Sequence, residues 1–275
     1  MNSDEVSLNA DPTATQSPWR LFIAFVGLAA LASLASIPVE MASLAQAQID
    51  APWWAPIIAF AIGFIPTLVA IAIGVGTLGA TELRTPIFSC IANRCSGLGQ
   101  AIRAILIPSV VVAIATFFAV HSFSKWLEPI LVPELARTAS EHDTNANPIS
   151  HVHLTLLSFS AGVREELLFR FGLLTWLVWI GIRWFRFPKT HSLLFWSANL
   201  LAVIPFALVH LINAVGLEIP ITPGLIAVIL VTNGLVGLTC GWLYSRYGIE
   251  SAMLAHTIYD FIQFVAWPLL SQCGT

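Results

Sequence analysis

Four ionisable side chains inside an apolar segment are the residues of this sequence best suited to chemistry. They are Arg164, Glu165, Glu166 and Arg170, and apolar residues fill the positions between Glu166 and Arg170. A charge at bilayer depth costs about 2.5–3.5 kcal/mol on insertion scales, and neighbouring carboxylates repel each other. We therefore expect a partner or a reaction that explains why these charges are present.

The spacing of the four charges allows two interpretations. Glu166 and Arg170 are four residues apart and share a helix face, whereas Glu165 lies about 100° around the helix from Glu166. In the first interpretation, Glu166 pairs with Arg170 and Glu165 pairs with Arg164, so the cluster is simply neutralised. In the second, one glutamate remains free to act as a general base.

Two later segments place a histidine four residues from another side chain of interest. Phe206 and His210 share a helix face in one apolar stretch, and His256 and Asp260 share a face in the last one. A single histidine inside a membrane is most often a hydrogen-bonded structural residue. Asp260 can either fix the tautomer of His256 or join it as a metal ligand.

Taken together, the three segments resemble a known family. Their order, Glu-Glu-x-x-x-Arg, Phe-x-x-x-His and His-x-x-x-Asp, is similar to that of the CPBP intramembrane proteases. These are also called the Abi or CAAX-protease and bacteriocin-processing family, and they include the type II CaaX prenyl endopeptidases. The resemblance covers roughly residues 155–265 and includes the runs 165–170 and 252–256. Asp260 stands where the family usually has Asn, and Phe171 where it usually has Gly.

The resemblance implies an endopeptidase with its active site inside the bilayer. Glu165 would activate a water molecule, with Glu166 and Arg170 supporting it. His210 would orient the water or assist Glu165. His256 and Asp260 would stabilise the oxyanion, so that no Ser or Cys nucleophile is needed.

The resemblance leaves the use of a metal open. We expect no cofactor, because Asp260 is placed to fix the His256 ring rather than to join a ligand from another helix. Zinc is the alternative, and its ligands would then be His210, His256 and Asp260 or a glutamate. The sequence contains no His-Glu-x-x-His segment.

Composition indicates an integral membrane protein. Of the 275 residues, 57% are hydrophobic and only 10% are charged, and apolar runs of bilayer length recur along the chain. The net charge of −3 says nothing about nucleic acid, but the sequence has no basic block that could bind one, so we expect no nucleic-acid partner. The sequence predicts an all-α bundle of about seven spans, at roughly 20–46, 55–80, 101–120, 152–183, 192–214, 223–243 and 251–270.

We divide the chain into three parts. Residues 1–19 are predicted to be a disordered polar tail, and residues 20–150 an N-terminal transmembrane region with a mobile outer loop at 121–150. Residues 151–275, with the last four spans, form the predicted catalytic core.

The distribution of basic residues predicts the orientation. With the N-terminus in the cytoplasm, the inner segments hold eight Lys or Arg residues and the outer segments hold two. This is the positive-inside pattern, expected here for a cell inner membrane. The pair Cys90 and Cys95 would then face the cytosol, so we expect these cysteines, with Cys240 and Cys273, to be reduced.

Two other functions fit parts of the pattern. A non-catalytic immunity or regulatory protein would bind a peptide or partner protein, and a proton-coupled carrier would use the buried Glu, His and Asp residues as a relay. As a protease, the chain would act on a membrane protein or peptide. A prenylated CaaX protein, a leader peptide and other membrane proteins all fit, and the oligomeric state is not predicted.

The simplest span arrangement separates the two histidines. If the fifth and seventh spans run in the same direction, His210 lies near the outer end and His256 near the inner end. At 1.5 Å per residue this corresponds to roughly 20 Å. A shared site therefore requires tilted helices, a re-entrant segment around 215–223 or different span limits.

Overall fold

The structure is a computed structural model that describes residues 17–46, 48–132, 149–216 and 219–272. Within these ranges all regular secondary structure is helical, which confirms the all-α prediction. Most of the predicted polar tail, residues 133–148 of the predicted outer loop, and Cys273 lie outside the described residues.

The N-terminal half contains four helices. They are α1 (Pro18–Gln46), α2 (Ala55–Leu78), α3 (Pro86–Asn93) and α4 (Leu98–Leu131). Pro56 and Pro86 lie in the first turns of α2 and α3, where a missing backbone N–H costs no helical hydrogen bond. Helix α4 is longer than the predicted third span, so residues 121–131 of the predicted outer loop are helical.

The C-terminal half contains two long helical runs that change between α and π geometry. The first run comprises α5 (His151–Glu165), π1 (Glu166–Leu174) and α6 (Thr175–Arg183). The following helices are α7 (Ser192–Val209), α8 (Leu211–Gly216) and α9 (Pro223–Tyr247). The last run comprises α10 (Ile249–Phe261), π2 (Ile262–Ala266) and α11 (Trp267–Gln272).

Five of the described helices are long and apolar enough to cross a membrane by length and composition: α1, α2, α4, α7 and α9. They support an integral membrane protein. The two remaining predicted spans correspond to the runs 151–183 and 249–272. The count of seven spans and the orientation remain predictions.

The cysteines differ from the prediction. Cys90 and Cys95 form a disulfide, so the expectation that they are reduced is wrong for this structure, whereas Cys240 is a buried free thiol. The backbone at the end of α3 brings the two cysteines together. Arg94 adopts a left-handed conformation, with φ of 54°, which turns the chain back so that the Cys95 N–H donates to the Cys90 carbonyl.

Helix α5 lies in the middle of the bundle, against α1 and α10, and π1 packs on α2. Glycines permit these close approaches. A Cβ atom at Gly162 would lie 2.6 Å from the backbone nitrogen of Thr257 in α10, and one at Gly172 would lie 2.6 Å from Cβ of Ala70 in α2. The first contact fixes the helix that carries Glu165 against the helix that carries His256, and the second fixes π1 against α2.

We predict that Gly162→Ala destabilises the protein by about 1–3 kcal/mol, because the added methyl group meets α10 backbone that cannot yield. The matched control is Gly76→Ala in α2, where an added Cβ meets nothing within 4 Å. It should be neutral or slightly stabilising. Thermal unfolding midpoints in detergent provide the comparison, and equal midpoints for the two variants would contradict this packing.

Candidate active site

The paired glutamates lie where the first helical run of the C-terminal half changes from α to π geometry. Helix α5 ends at Glu165 and π1 begins at Glu166. At the other end of π1, the Thr175 N–H donates to the Arg170 carbonyl, and the Thr175 hydroxyl donates to the same oxygen at 3.2 Å. Tyr244 of α9 is hydrogen-bonded to this hydroxyl at 2.9 Å. π-helical turns occur frequently at functional sites, and this one contains most of the first motif.

Glu166 is fully buried and closely paired. Its Oε1 lies 3.2 Å from Arg170 Nη1 and accepts a hydrogen bond from His256 Nδ1 at 2.8 Å. The Arg170 guanidinium also lies 4.0 Å from the centre of the Phe206 ring. Gly237 of α9 leaves room for it, since a Cβ there would lie 2.8 Å from Arg170 Nη2. The charge on Glu166 is therefore compensated from its own helix and from α10.

Glu165 has a different environment. Its side chain is 27% exposed, and Oε2 lies 3.9 Å from His256 Nε2. This oxygen has no hydrogen-bond partner among the residues that the structure describes. Arg164 does not neutralise it, because Arg164 Nη1 donates to Ser36 Oγ at 3.2 Å and Ser160 Oγ at 3.3 Å. The first interpretation of the sequence required two ion pairs, Glu166 with Arg170 and Glu165 with Arg164. In the described part of the chain, only the first of them is present.

His256 is buried between three carboxylates. Glu166 lies at its Nδ1, and Glu165 and Asp260 lie at its Nε2, with Asp260 Oδ2 at 3.7 Å. We expected Asp260 to fix the His256 ring. In the structure the short hydrogen bond is made with Glu166, which is 90 residues away in sequence. Asp260 instead faces the nitrogen that points towards Glu165.

His210 lies close to this group, next to Phe206. Its Nδ1 donates to the Phe206 carbonyl at 2.9 Å, because a carbonyl can only accept. The Phe206 ring centre is 5.3 Å from the His210 ring centre and 5.8 Å from the His256 ring centre. Both imidazoles therefore lie against the same aromatic ring, and the structure brings the two predicted histidines together.

The separation of roughly 20 Å expected from the helical rise is thus wrong, and α9 shows why. On this helix, Gly237 faces Phe206 of α7, while Cys240, one turn away, lies beside the carbonyl of Ala252 in α10. Phe206 and Ala252 therefore lie at nearly the same level of the bundle. The expectation had assumed that both helices begin at the same depth.

Cys240 is a buried residue near the site that the motifs did not indicate. Its sulfur and one ligand atom each of Glu166 and His256 lie within 4.8 Å of one another. These are donor types that zinc binds, so zinc is compatible with the chemistry of this trio. The trio differs from the predicted ligands, since His210 and Asp260 are not part of it. No spacing signal in the sequence pointed to Cys240, because it lies on a different helix from each of the other two residues.

Two atoms of this trio are already paired with each other. His256 Nδ1 and Glu166 Oε1 are 2.8 Å apart and joined by a hydrogen bond, and Arg170 Nη1 lies 3.2 Å from the same oxygen. An ion bound by these two atoms would have to replace this hydrogen bond and lie beside a guanidinium.

The comparison with protein families agrees with the motif order. Residues 147–262 match the family model described as type II CAAX prenyl endopeptidase Rce1-like. The matched part of the chain contains every predicted site residue, and the match supports the family that the motif order indicated. No curated protein and no solved structure matches the chain. The family is one of proteases, and the five apolar helices agree with a protease of the membrane.

The pairing of Glu166 makes a testable prediction about stability. Arg170→Met should destabilise the protein by about 3–5 kcal/mol, because it leaves a buried carboxylate without its cation. The double variant Glu166→Gln/Arg170→Met should be more stable than this single variant, since it removes the charge as well. Unfolding midpoints of the three proteins would test this, and a double variant that is less stable than Arg170→Met would contradict the pairing.

Proposed function

We propose that this chain is an intramembrane endopeptidase in which Glu165 activates water to hydrolyse a peptide bond. The observation that carries the proposal is the difference between the two adjacent glutamates. Glu166 is fully buried and is held through Oε1 by Arg170 and His256, whereas the Glu165 side chain is 27% exposed. The Oε2 atoms of both glutamates have no hydrogen-bond partner among the described residues. An ionised carboxylate in this position can accept a proton from water.

Glu165 and His256 face each other at the site. Their facing atoms, Oε2 and Nε2, are 3.9 Å apart, which is too long for a direct hydrogen bond. In the proposed reaction, Glu165 takes a proton from water while the water oxygen attacks the peptide carbonyl. Glu165 then passes that proton to the leaving amine as the carbon–nitrogen bond breaks.

His256 supplies the donor for the oxyanion. Because Glu166 accepts from Nδ1, the second nitrogen, Nε2, is the one that faces the reacting groups. When the ring is protonated, Nε2–H can donate to the negative oxygen of the tetrahedral intermediate. Asp260 and Glu165 both lie near Nε2.

His210 has a supporting role in the proposal. Since its Nδ1–H is used by the Phe206 carbonyl, its Nε2 in the neutral ring carries a lone pair. This nitrogen can accept a hydrogen bond from the attacking water and so orient it towards the substrate.

An apolar groove beside the site supports a substrate that carries apolar groups in the bilayer. It has a volume of about 340 Å³ and lies between α2 and π1. Phe169 lines the groove and also contacts Phe206, at 5.5 Å between ring centres, which connects the groove to the site. With the family match, this favours a membrane-anchored or prenylated protein as substrate. The other lining residues are Pro66, Val69, Ala70, Ile73, Leu168, Gly172, Leu173 and Trp176.

The first functional prediction concerns the base. Glu165→Gln should lower cleavage of a prenylated CAAX peptide by about 10²–10⁴-fold, since it keeps the shape of the side chain and removes its basicity. The unfolding midpoint should stay close to that of the wild type, because Glu165 Oε2 has no described hydrogen bond to lose. Glu82→Gln, at an exposed position outside the site, is the matched control and should cleave normally.

Three outcomes would count against this assignment. Unchanged cleavage in Glu165→Gln would move the base to Glu166 or to metal-bound water. A large loss of stability would show that Glu165 is a structural residue. Peptide binding without cleavage by the wild type would favour a non-catalytic binding protein.

The second functional prediction concerns metal. Purified protein should contain less than one zinc ion per chain and should keep its cleavage rate in chelator, because the hydrogen bond between Glu166 and His256 occupies one potential ligand atom of each residue. Elemental analysis and cleavage assays before and after dialysis measure this. Stoichiometric zinc whose removal stops cleavage, and whose return restores it, would overturn the metal-free mechanism.

A further inference from the structure

The disulfide at the end of α3 has no part in the proposed reaction, but its position makes it reactive. Cys90 is buried, whereas Cys95 is exposed, as is the following residue, Ser96. Thiol–disulfide exchange begins when a thiolate attacks one of the two sulfurs, so it depends on access to that sulfur. The exposed Cys95 gives an external thiolate a point of attack, while Cys90 stays inside the bundle.

The predicted orientation places this disulfide on the reducing side of the membrane. Arg84 precedes α3 and Arg94 follows it, and both count among the basic residues assigned to the inner side. In the cytoplasm thiols are kept reduced, and the disulfides that do form there are usually transient and either catalytic or redox-sensing. A disulfide in this place therefore suits a reversible role better than a purely structural one.

Helix α3 contacts the first turn of the helix that carries His256. The Phe88 N–H donates to Glu250 Oε1 at 2.8 Å, and the Ile249 N–H donates to the Arg84 carbonyl at 3.2 Å. Ile249 and Glu250 are the first two residues of α10, and both are buried. His256 lies six residues after Glu250, about 9 Å further along the helix. The position of α3 therefore bears on the end of α10 that lies nearest to His256.

A second connection leads from α3 to the π-helical segment. The Phe88 ring centre lies 4.5 Å from that of Phe25 in α1, and Phe25 lies 4.5 Å from Phe171 in π1. Phe25 and Phe171 are fully buried, and Phe171 follows Arg170, the partner of Glu166. Through Phe88, α3 thus contacts both sides of the candidate site.

The disulfide supports the short helix that makes these contacts. Helix α3 has eight residues, and helices of this length depend on tertiary contacts for their stability. Cys90 lies two residues after Phe88, and the disulfide joins it to the chain just beyond the helix end. Without the disulfide, hydrogen bonds such as that from the Cys95 N–H to the Cys90 carbonyl remain to hold the last turn, and it opens more readily.

We propose that Cys90 and Cys95 form a reversible redox switch that sets the cleavage rate. This rests on the proposed endopeptidase function. In the oxidised state the disulfide holds α3, which in turn holds the start of α10 and the ring of Phe25. In the reduced state α3 loosens, His256 and Glu166 lose part of their support, and cleavage slows.

The reductant is a dithiol of the cytoplasm. One of its thiolates attacks Cys95 Sγ, the disulfide breaks, and Cys90 leaves as a thiolate that takes up a proton. The second thiolate of the reductant attacks its own sulfur in the mixed disulfide and releases Cys95, which is protonated in the same way. The protein gains two electrons and two protons, and the reductant becomes a disulfide.

The coupling between α3 and α10 can be measured without cleavage. Full-length protein in phosphatidylcholine vesicles is treated with dithiothreitol, the free thiols are located by alkylation and mass spectrometry, and backbone hydrogen exchange is followed. Reduction of Cys90 and Cys95 should speed exchange by about 5-fold or more in residues 86–93 and in the first turns of α10, the lower end of coupling between separate sites. Reoxidation should reverse the change.

Cleavage of a prenylated CAAX peptide is measured on the same samples. Reduction should lower the rate by about 5-fold or more, and reoxidation should restore it. The double variant Cys90→Ser/Cys95→Ser should have the lower rate and should not respond to dithiothreitol. Ser96→Ala, at an exposed position beside Cys95, is the matched control and should respond as the wild type does.

Three results would overturn the switch. The first is a disulfide that dithiothreitol does not reduce in the folded protein, and the second is a reduction that leaves exchange in α10 unchanged. The third is an equal response of the double variant to dithiothreitol, which would assign the effect to another thiol such as Cys240. Exchange is also measured in Glu165→Gln, where no cleavage is expected, so failure of the endopeptidase proposal is distinct from failure of the switch.

Discussion

Two adjacent carboxylates inside a membrane bundle cannot both remain charged without compensation, and the rest of the site depends on how this is resolved. Arg170 and His256 compensate Glu166, which is fully buried. Glu165, next to it, is partly exposed and has Oε2 free of hydrogen bonds to described residues. In the proposed function, Glu166 is the structural member of the pair and Glu165 the reactive one.

Contacts between the surrounding helices place Arg170 and His256 beside Glu166. The π geometry of residues 166–174 places Arg170 beside Glu166 and against the Phe206 ring, and Gly237 leaves space for the guanidinium. The contact between Gly162 and α10 brings His256 to Glu166. A buried ion pair contributes little net stability by itself, so its value here is positional. It holds the histidine with one nitrogen facing Glu165.

Local spacing predicted the parts of the site that lie on one helix. The pair Glu166 and Arg170, the nearness of Phe206 to His210, and the helical class all follow from periodicity and composition. The contacts between helices did not follow. The hydrogen bond from His256 to Glu166, the position of Arg164 against Ser36 and the place of Cys240 depend on the relative depth of the helices. Close glycine contacts set that depth, and a single sequence does not indicate which glycines meet.

The central claim is that Glu166 fixes His256 through Nδ1 and leaves Nε2 for the reaction. Nitrogen-15 NMR of the histidine rings in lipid tests this directly, with His256→Gln to assign the signals. The account predicts a protonated Nδ1 whose resonance shifts in Glu166→Gln but changes little in Glu165→Gln, where Nε2 responds instead. An unprotonated Nδ1, or one that does not respond to Glu166→Gln, would contradict it.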